Sequence, residues 1–164
     1  MNAEPRLNLF AGPVVAKALG HYGAAAPVLI NESALPTTTQ NLVMLRASQI
    51  NGDGYATDVH GKNAAHAGES ATRLNLVATW RESTVFTAAE RAALDLTEQG
   101  TRIADGAGGV TDEAWSTAAQ HFDDDQLAAL VAFIALINAT NRFAVINRQR
   151  GGTYLPAGSA GPAA

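Results

Sequence analysis

The sequence predicts an all-α fold. Apolar residues recur at intervals of three and four, and no stretch alternates convincingly as a strand would. Helix-start pairs with capping-box spacing appear at Thr37/Gln40 and Thr87/Glu90, and Asp123 and Gln126 open a further helix. Chain breakers fall between the periodic stretches, at Asn51-Gly52, Gly68 and Gly106 to Gly109.

The first helix is expected from Pro13, a residue suited to a first turn, through Val14 to Tyr22. Pro27 and Val28-Leu29-Ile30 then read as a loop or short turn. Thr37 to Ile50 is the second helix, with Leu42, Leu45 and Gln49 on one face. Asp53 starts a third that runs to about Ala67, closed by Gly68. Ser70 to Arg81 is the fourth, with Leu74, Val77 and Trp80 on one stripe. Thr87 and Glu90 open the fifth, which continues through Ile103. Thr111 caps a short sixth helix containing Trp115 and Phe122. Asp123 and Gln126 open the last, apolar almost all round, which extends to about Asn147. One helical domain is expected over residues 1–155, followed by a disordered Gly/Pro/Ala/Ser tail at 156–164.

Composition narrows the possible roles. Of 164 residues, 47% are hydrophobic and only 16% charged, too apolar for a disordered chain. So little charge covers a small monomer poorly, and a homo-oligomer burying apolar surface is expected. The net charge is −4 with no basic run, which argues against nucleic acid as a partner. The longest apolar run, Leu127 to Ile137, falls short of a membrane span, and Met1 to Phe10 lacks an apolar signal segment. A soluble, cytoplasmic protein is expected. There is no cysteine, so disulfides, thiolate metal sites and cysteine nucleophiles are excluded.

One part of the chain is specific. Leu45-Arg46-Ala47-Ser48-Gln49-Ile50-Asn51-Gly52, continued by Tyr55, Asp58-Val59-His60, Lys62 and Ala67-Gly68-Glu69, resembles the core motif of the AhpD-like alkylhydroperoxidases, within the wider carboxymuconolactone decarboxylase family. Arg73-Leu74-Asn75, Trp80-Arg81-Glu82-Ser83, Phe86-Thr87, Glu90 to Leu94 and Asn141-Arg142-Phe143 extend the likeness over residues 6 to 155. The resemblance implies an all-helical fold, assembly as trimers or hexamers, and an active site near a subunit contact. It also implies, for redox members, a CxxC pair at a helix start, where the unpaired N–H groups favour a thiolate. A glutamate on the preceding helix and a histidine four residues beyond the second cysteine complete that relay.

In this chain the two cysteine positions hold Asp53 and Ala56, and the glutamate position holds Asn41; the histidine remains as His60. With three of four relay residues replaced and the flanking motif intact, the chain reads as a divergent member that has given up the redox role. Thiol peroxidase turnover is not expected, because peroxide has no nucleophile to attack. If the fold holds, Asn41, Asp53, Ala56 and His60 converge. Ala56 and His60 lie one turn apart on one helix face, and the small Ala56 leaves room for a ligand.

Each residue has two readings. His60 is either a proton carrier or an inherited packing residue. Asp53 is either a second base or a helix cap. Asn41 either donates to an oxyanion or is solvated. Tyr55 either donates a proton or packs. Asp58 and Lys62 read as an i,i+4 ion pair. His21, His66 and His121 lack metal-ligand spacing, the glycines lack a phosphate-binding fingerprint, and neither metal nor cofactor is expected. The expected activity is cofactor-independent acid/base catalysis on a small organic molecule, of decarboxylase, lyase, isomerase or cyclase type. The alternative is a catalytically silent oligomer that binds a small ligand or a partner protein.

Overall fold

A computed structural model describes residues 4–106 and 108–159. Among them are seven α-helices, one 3₁₀ segment and no strand. The helices are α1 (Pro13–Glu32), α2 (Thr37–Ile50), α3 (Gly54–His66), α4 (Ala71–Leu76), α5 (Ala88–Thr101), α6 (Asp112–Ala119) and α7 (Asp124–Asn147); the 3₁₀ segment, Val77–Glu82, follows α4 directly.

Several helix starts follow from the side chains read in the sequence. Asp53, Ser70, Thr87, Thr111 and Asp123 each accept a bond from a first-turn N–H. Thr87/Glu90 and Asp123/Gln126 close as reciprocal capping boxes. Gly68, at φ +95°, takes the left-handed position after α3.

Five local expectations are corrected. Helix α1 does not stop at Tyr22 but runs through Pro27 to Glu32. The carbonyl that Pro27 leaves unbonded belongs to Gly23, in an exposed stretch where water can replace the lost bond. The Thr37/Gln40 box does not form: Pro36 is the N-cap, and the buried Gln40 amide donates instead to the Leu35 carbonyl at 2.8 Å, closing the α1–α2 turn. The fourth helix tightens to 3₁₀ at Val77 and kinks at Thr79, which turns Trp80 inward against Leu42 and Leu94. Phe122 lies past the end of α6, and α5 ends at Thr101, before Ile103. The expected disordered tail is described only to Ser159, so 160–164 lie outside the described residues.

Helix α2 is the hub, packing on α3, α5 and α7. The main core joins Val43 and Ala47 of α2, Ala93 and Leu96 of α5, and Leu130, Phe133 and Ile134 of α7. A second cluster gathers Leu42, Leu45, Val77, Trp80, Phe86 and Leu94. Helix α7 is long and apolar enough to span a membrane by composition, yet it is a core helix, with Asn138 and Asn141 buried in its length. Helix α1, though 20 residues long, has no buried residue, and it rests on α7.

Charged side chains bracket the second cluster. Glu98 on α5 accepts from Arg46 Nε at 2.8 Å, from Trp80 Nε1 at 3.0 Å and from Arg81 Nη2 at 3.0 Å. Burial works to raise the Glu98 carboxyl, and these donors bring it below the usual range. Arg73 binds Glu69 and Glu90 at 2.8 and 2.5 Å. Arg91 donates to the carbonyls of Trp80, Arg81 and Ser83. These arginines and acids therefore join α4 and the 3₁₀ segment to α2 and α5.

Candidate functional site

The site begins with the elbow between α2 and α3. Asn51 ends α2, and its Nδ2 donates to Oδ1 of both Asn138 and Asn141 at 2.9 Å. Gly52 follows at φ +66°, a left-handed turn that suits glycine. Asp53 then caps α3: Oδ1 accepts from Ala56 N at 3.0 Å, and Oδ2 accepts from Asn141 Nδ2 at 2.9 Å. Asn141 Nδ2 also donates to Ser48 Oγ at 3.2 Å. Asp53 is 2% exposed, and both its oxygens are engaged. Of its two readings, the geometry matches the cap. It also places a carboxylate at the helix end where redox members would hold a thiolate, so the positive end of α3 keeps an acidic side chain.

From this elbow α3 carries Tyr55, Ala56, Val59 and His60 along one wall of a cavity of about 360 Å³. Leu9 and Phe10, before α1, and Leu19 and Tyr22, on α1, form the side facing solvent. Ile137, Thr140, Phe143 and Ala144 of α7 complete it. Tyr22 meets Phe143 edge-to-face, with ring centres 5.5 Å apart. Asp53 also borders the cavity.

His60 is half-buried here, and among the described residues its imidazole has no side-chain or backbone partner within hydrogen-bond distance. Desolvation lowers its pKa from 6.5 to about 4, so the ring is neutral at pH 7. A neutral imidazole presents one donor and one acceptor nitrogen to whatever fills the cavity.

Asp53, Ala56 and His60 thus meet at one cavity, with Tyr55, 37% exposed, at its edge. Asn41 is placed elsewhere. It lines a second, polar hollow of about 270 Å³ beside Thr37, Thr38, Glu69, Arg73 and Glu90. The separation follows from helix pairing: Ser48, near the end of α2, is at the elbow, whereas Asn41, two turns earlier, lies opposite Ala64. The cavity's α1 and α7 walls were not singled out in the sequence. Asn141 was available as a signal, being a polar residue within an otherwise apolar helix.

A strap from the C-terminal end of α7 crosses the outside of α3. Gly152 N donates to Asp58 Oδ2 at 2.7 Å, and Lys62 Nζ donates to the Tyr154 carbonyl at 2.9 Å. Asp58 and Lys62 also form the expected i,i+4 pair at 2.8 Å. Tyr154 Oη donates to Asn63 at 2.8 Å. No group of three or more His, Cys, Asp or Glu able to hold a metal is found among the described residues.

Comparison with known proteins places this geometry. The carboxymuconolactone decarboxylase family model matches residues 13–99. YdfG of Bacillus subtilis (strain 168), itself uncharacterized, is 33% identical over 119 residues, spanning 73% of this chain and 80% of YdfG. YnjA of Escherichia coli K12, also uncharacterized, is 34% identical over 116 residues, spanning 68% of this chain and 59% of YnjA. The crystal structure of ATU0492 from Agrobacterium tumefaciens, a protein of unknown function placed with the antioxidant-defence protein AhpD, superposes with a TM-score of 0.83 at 33% identity, covering 92% of this chain and all (100%) of that one. The debrominase Bmp8, solved with 2,3,4-tribromopyrrole, shares the fold at TM-score 0.69 and 17% identity, over 87% of this chain and 73% of its own. With its AhpD-like helical fold and its cysteine-free site, this chain belongs to the carboxymuconolactone decarboxylase family.

Proposed function

We propose that this protein is a cytoplasmic, non-redox enzyme that moves protons on a small organic molecule without a cofactor, using the cavity between α1, α3 and α7. The observation that carries this is His60: an unpartnered imidazole, neutral at pH 7, on the wall of a sheltered cavity. The reaction class is decarboxylation, elimination, isomerisation or cyclisation, which share a need for a positioned proton donor and acceptor.

His60 takes the proton from substrate and returns it. Its lowered basicity restricts it to substrates whose proton is already acidic, such as one flanked by two carbonyl groups. The imidazolium formed for an instant lies in the same cavity as Asp53, whose acidic side chain favours a positive charge nearby. Asp53 is a positioning residue, holding the start of α3. Tyr55 and Ala56 contact substrate from the same helix, whereas Asn41, in the separate polar hollow, takes no part in the proton transfer. The working form is a homo-trimer or homo-hexamer. Exposed apolar residues on α1, Val14 and Val28 among them, support burial of surface in such an assembly.

A second reading is a silent oligomer that binds a ligand. What favours it is that Asp53 is fully engaged as a cap, leaving His60 as the chief reactive group. Incubating the protein with a cell-extract metabolite pool, beside His60→Ala, separates the two by mass spectrometry. A compound consumed by the unmodified protein and spared by the variant is the expected result. Equal consumption by both would remove His60 from the chemistry; no consumption with ligand retention would leave the silent oligomer.

A further inference from the structure

The cavity holds one more piece of information, in the charges it lacks. Among the described residues, its lining includes no lysine and no arginine. Its ionisable members are Asp53, Tyr55 and His60, none of which is a cation at pH 7. The rest is mainly Phe10, Leu19, Val59, Ile137, Phe143 and similar apolar groups, with Thr140 adding a hydroxyl and Gln149 an uncharged amide. Arg142 is the neighbour of Phe143 in sequence but lines a different groove, and Arg148 and Arg150 line an adjoining hollow that shares Asp53 and Gln149 with the cavity without lining the cavity itself.

We infer that the cavity selects uncharged, ring-sized apolar molecules bearing a hydrogen-bonding group, and excludes carboxylates. This rests on the proposed catalytic site being the cavity beside His60, and it narrows the chemistry there. A carboxylate entering would leave water for a largely apolar wall that carries no cation of its own, with the acidic Asp53 at its border. A phenol, enol or ketone loses little on entry and satisfies one nitrogen of His60. A volume of about 360 Å³ suits a one- or two-ring compound. Decarboxylation needs a carboxylate substrate, so the inference removes it and leaves isomerisation, elimination or cyclisation of neutral compounds. Selectivity comes from penalising the charged competitor as much as from fitting the neutral one.

The test compares para-cresol with para-toluate on the full chain, following amide and His60 ring shifts by NMR. Para-cresol is expected to bind at least about tenfold more tightly. Its shifts should map to Ala56, Val59 and His60. Ala56→Phe, folded by circular dichroism, should weaken para-cresol about tenfold by filling the cavity. Thr140→Arg should reverse the preference by supplying the missing cation. Tighter binding of para-toluate to the unmodified protein, or failure of both probes to bind, overturns the inference. Its failure is distinguishable from failure of the enzymatic reading. Selective para-cresol binding with no His60-dependent turnover in any extract keeps the ligand class and discards the enzyme. His60-dependent turnover of a carboxylate does the reverse.

Discussion

On the α5 side of α2, one carboxylate, Glu98, collects N–H groups from Arg46, Trp80 and Arg81. On the other side, across α3, His60 faces an apolar cavity with no partner among the described residues. Both regions are sheltered from water and both contain motif residues. The first is saturated with charge-assisted hydrogen bonds, so each side chain there is already committed. The second is incomplete: a half-buried imidazole with no protein partner among the described residues is free for a ligand. The contrast explains how the motif around Arg46, Trp80 and Glu90 stays intact while the relay positions differ. The bracket holds the fold together, and the cavity wall can change its chemistry without disturbing the bracket.

The largest expected effect lies in the bracket. Glu98→Ala strands Arg46 and the Trp80 indole, and should cost about 3 kcal/mol in urea denaturation. A cost below about 1 kcal/mol would mean the bracket is mere surface decoration. The next effect lies in the cavity and is a pH dependence. The folded His60 pKa is about 4 against 6.5 unfolded, so between these values the unfolded chain binds more protons. Stability is therefore undiminished above pH 6.5 and falls as pH drops towards 4, by roughly 2 to 3 kcal/mol from this group. His60→Phe should flatten the curve across that window; an unchanged pH slope would show that His60 is not desolvated.

The elbow joins the two regions and sharpens the comparison. Asp53→Asn cannot replace both acceptors, because its amide nitrogen would face Asn141 Nδ2 or Ala56 N. Asn141 cannot flip without losing its bond from Asn51. A loss of about 2 kcal/mol is expected, with little difference between Asp53→Asn and Asp53→Ala. Full rescue by Asn in thermal melts would refute the double-acceptor role. The smallest effect is expected at the strap: a Cβ at Gly151 would sit on the Gly54 carbonyl. Gly151→Ala should cost about 1 kcal/mol and increase amide exchange at Gly152 while leaving the Glu98 bracket unaltered.

Much of this was legible in sequence. Asp53 was readable as a cap from its place after Gly52, the capping box at Thr87 from its spacing, and Asp123 with Gln126 as the opening of the last helix. Those contacts span three residues and need no knowledge of the rest of the chain. Pro27 misled, because proline was weighed by its intrinsic cost and not by where its orphaned carbonyl points. Gln40 misled for a similar reason: a reach back to the Leu35 carbonyl competes with a cap, and only the path of the chain decides between them.

By itself, then, the sequence determined the all-helical class, the family, the loss of thiol chemistry and the survival of His60. These depend on residue identity and local periodicity. Tertiary structure alone decided that Asp53 is engaged by Asn141, 88 positions away, that Asn41 belongs to a second hollow, and that α1 and α7 wall the cavity in. It also decided that His60 is neutral, because desolvation is a property of everything packed around a group and is written in no single residue.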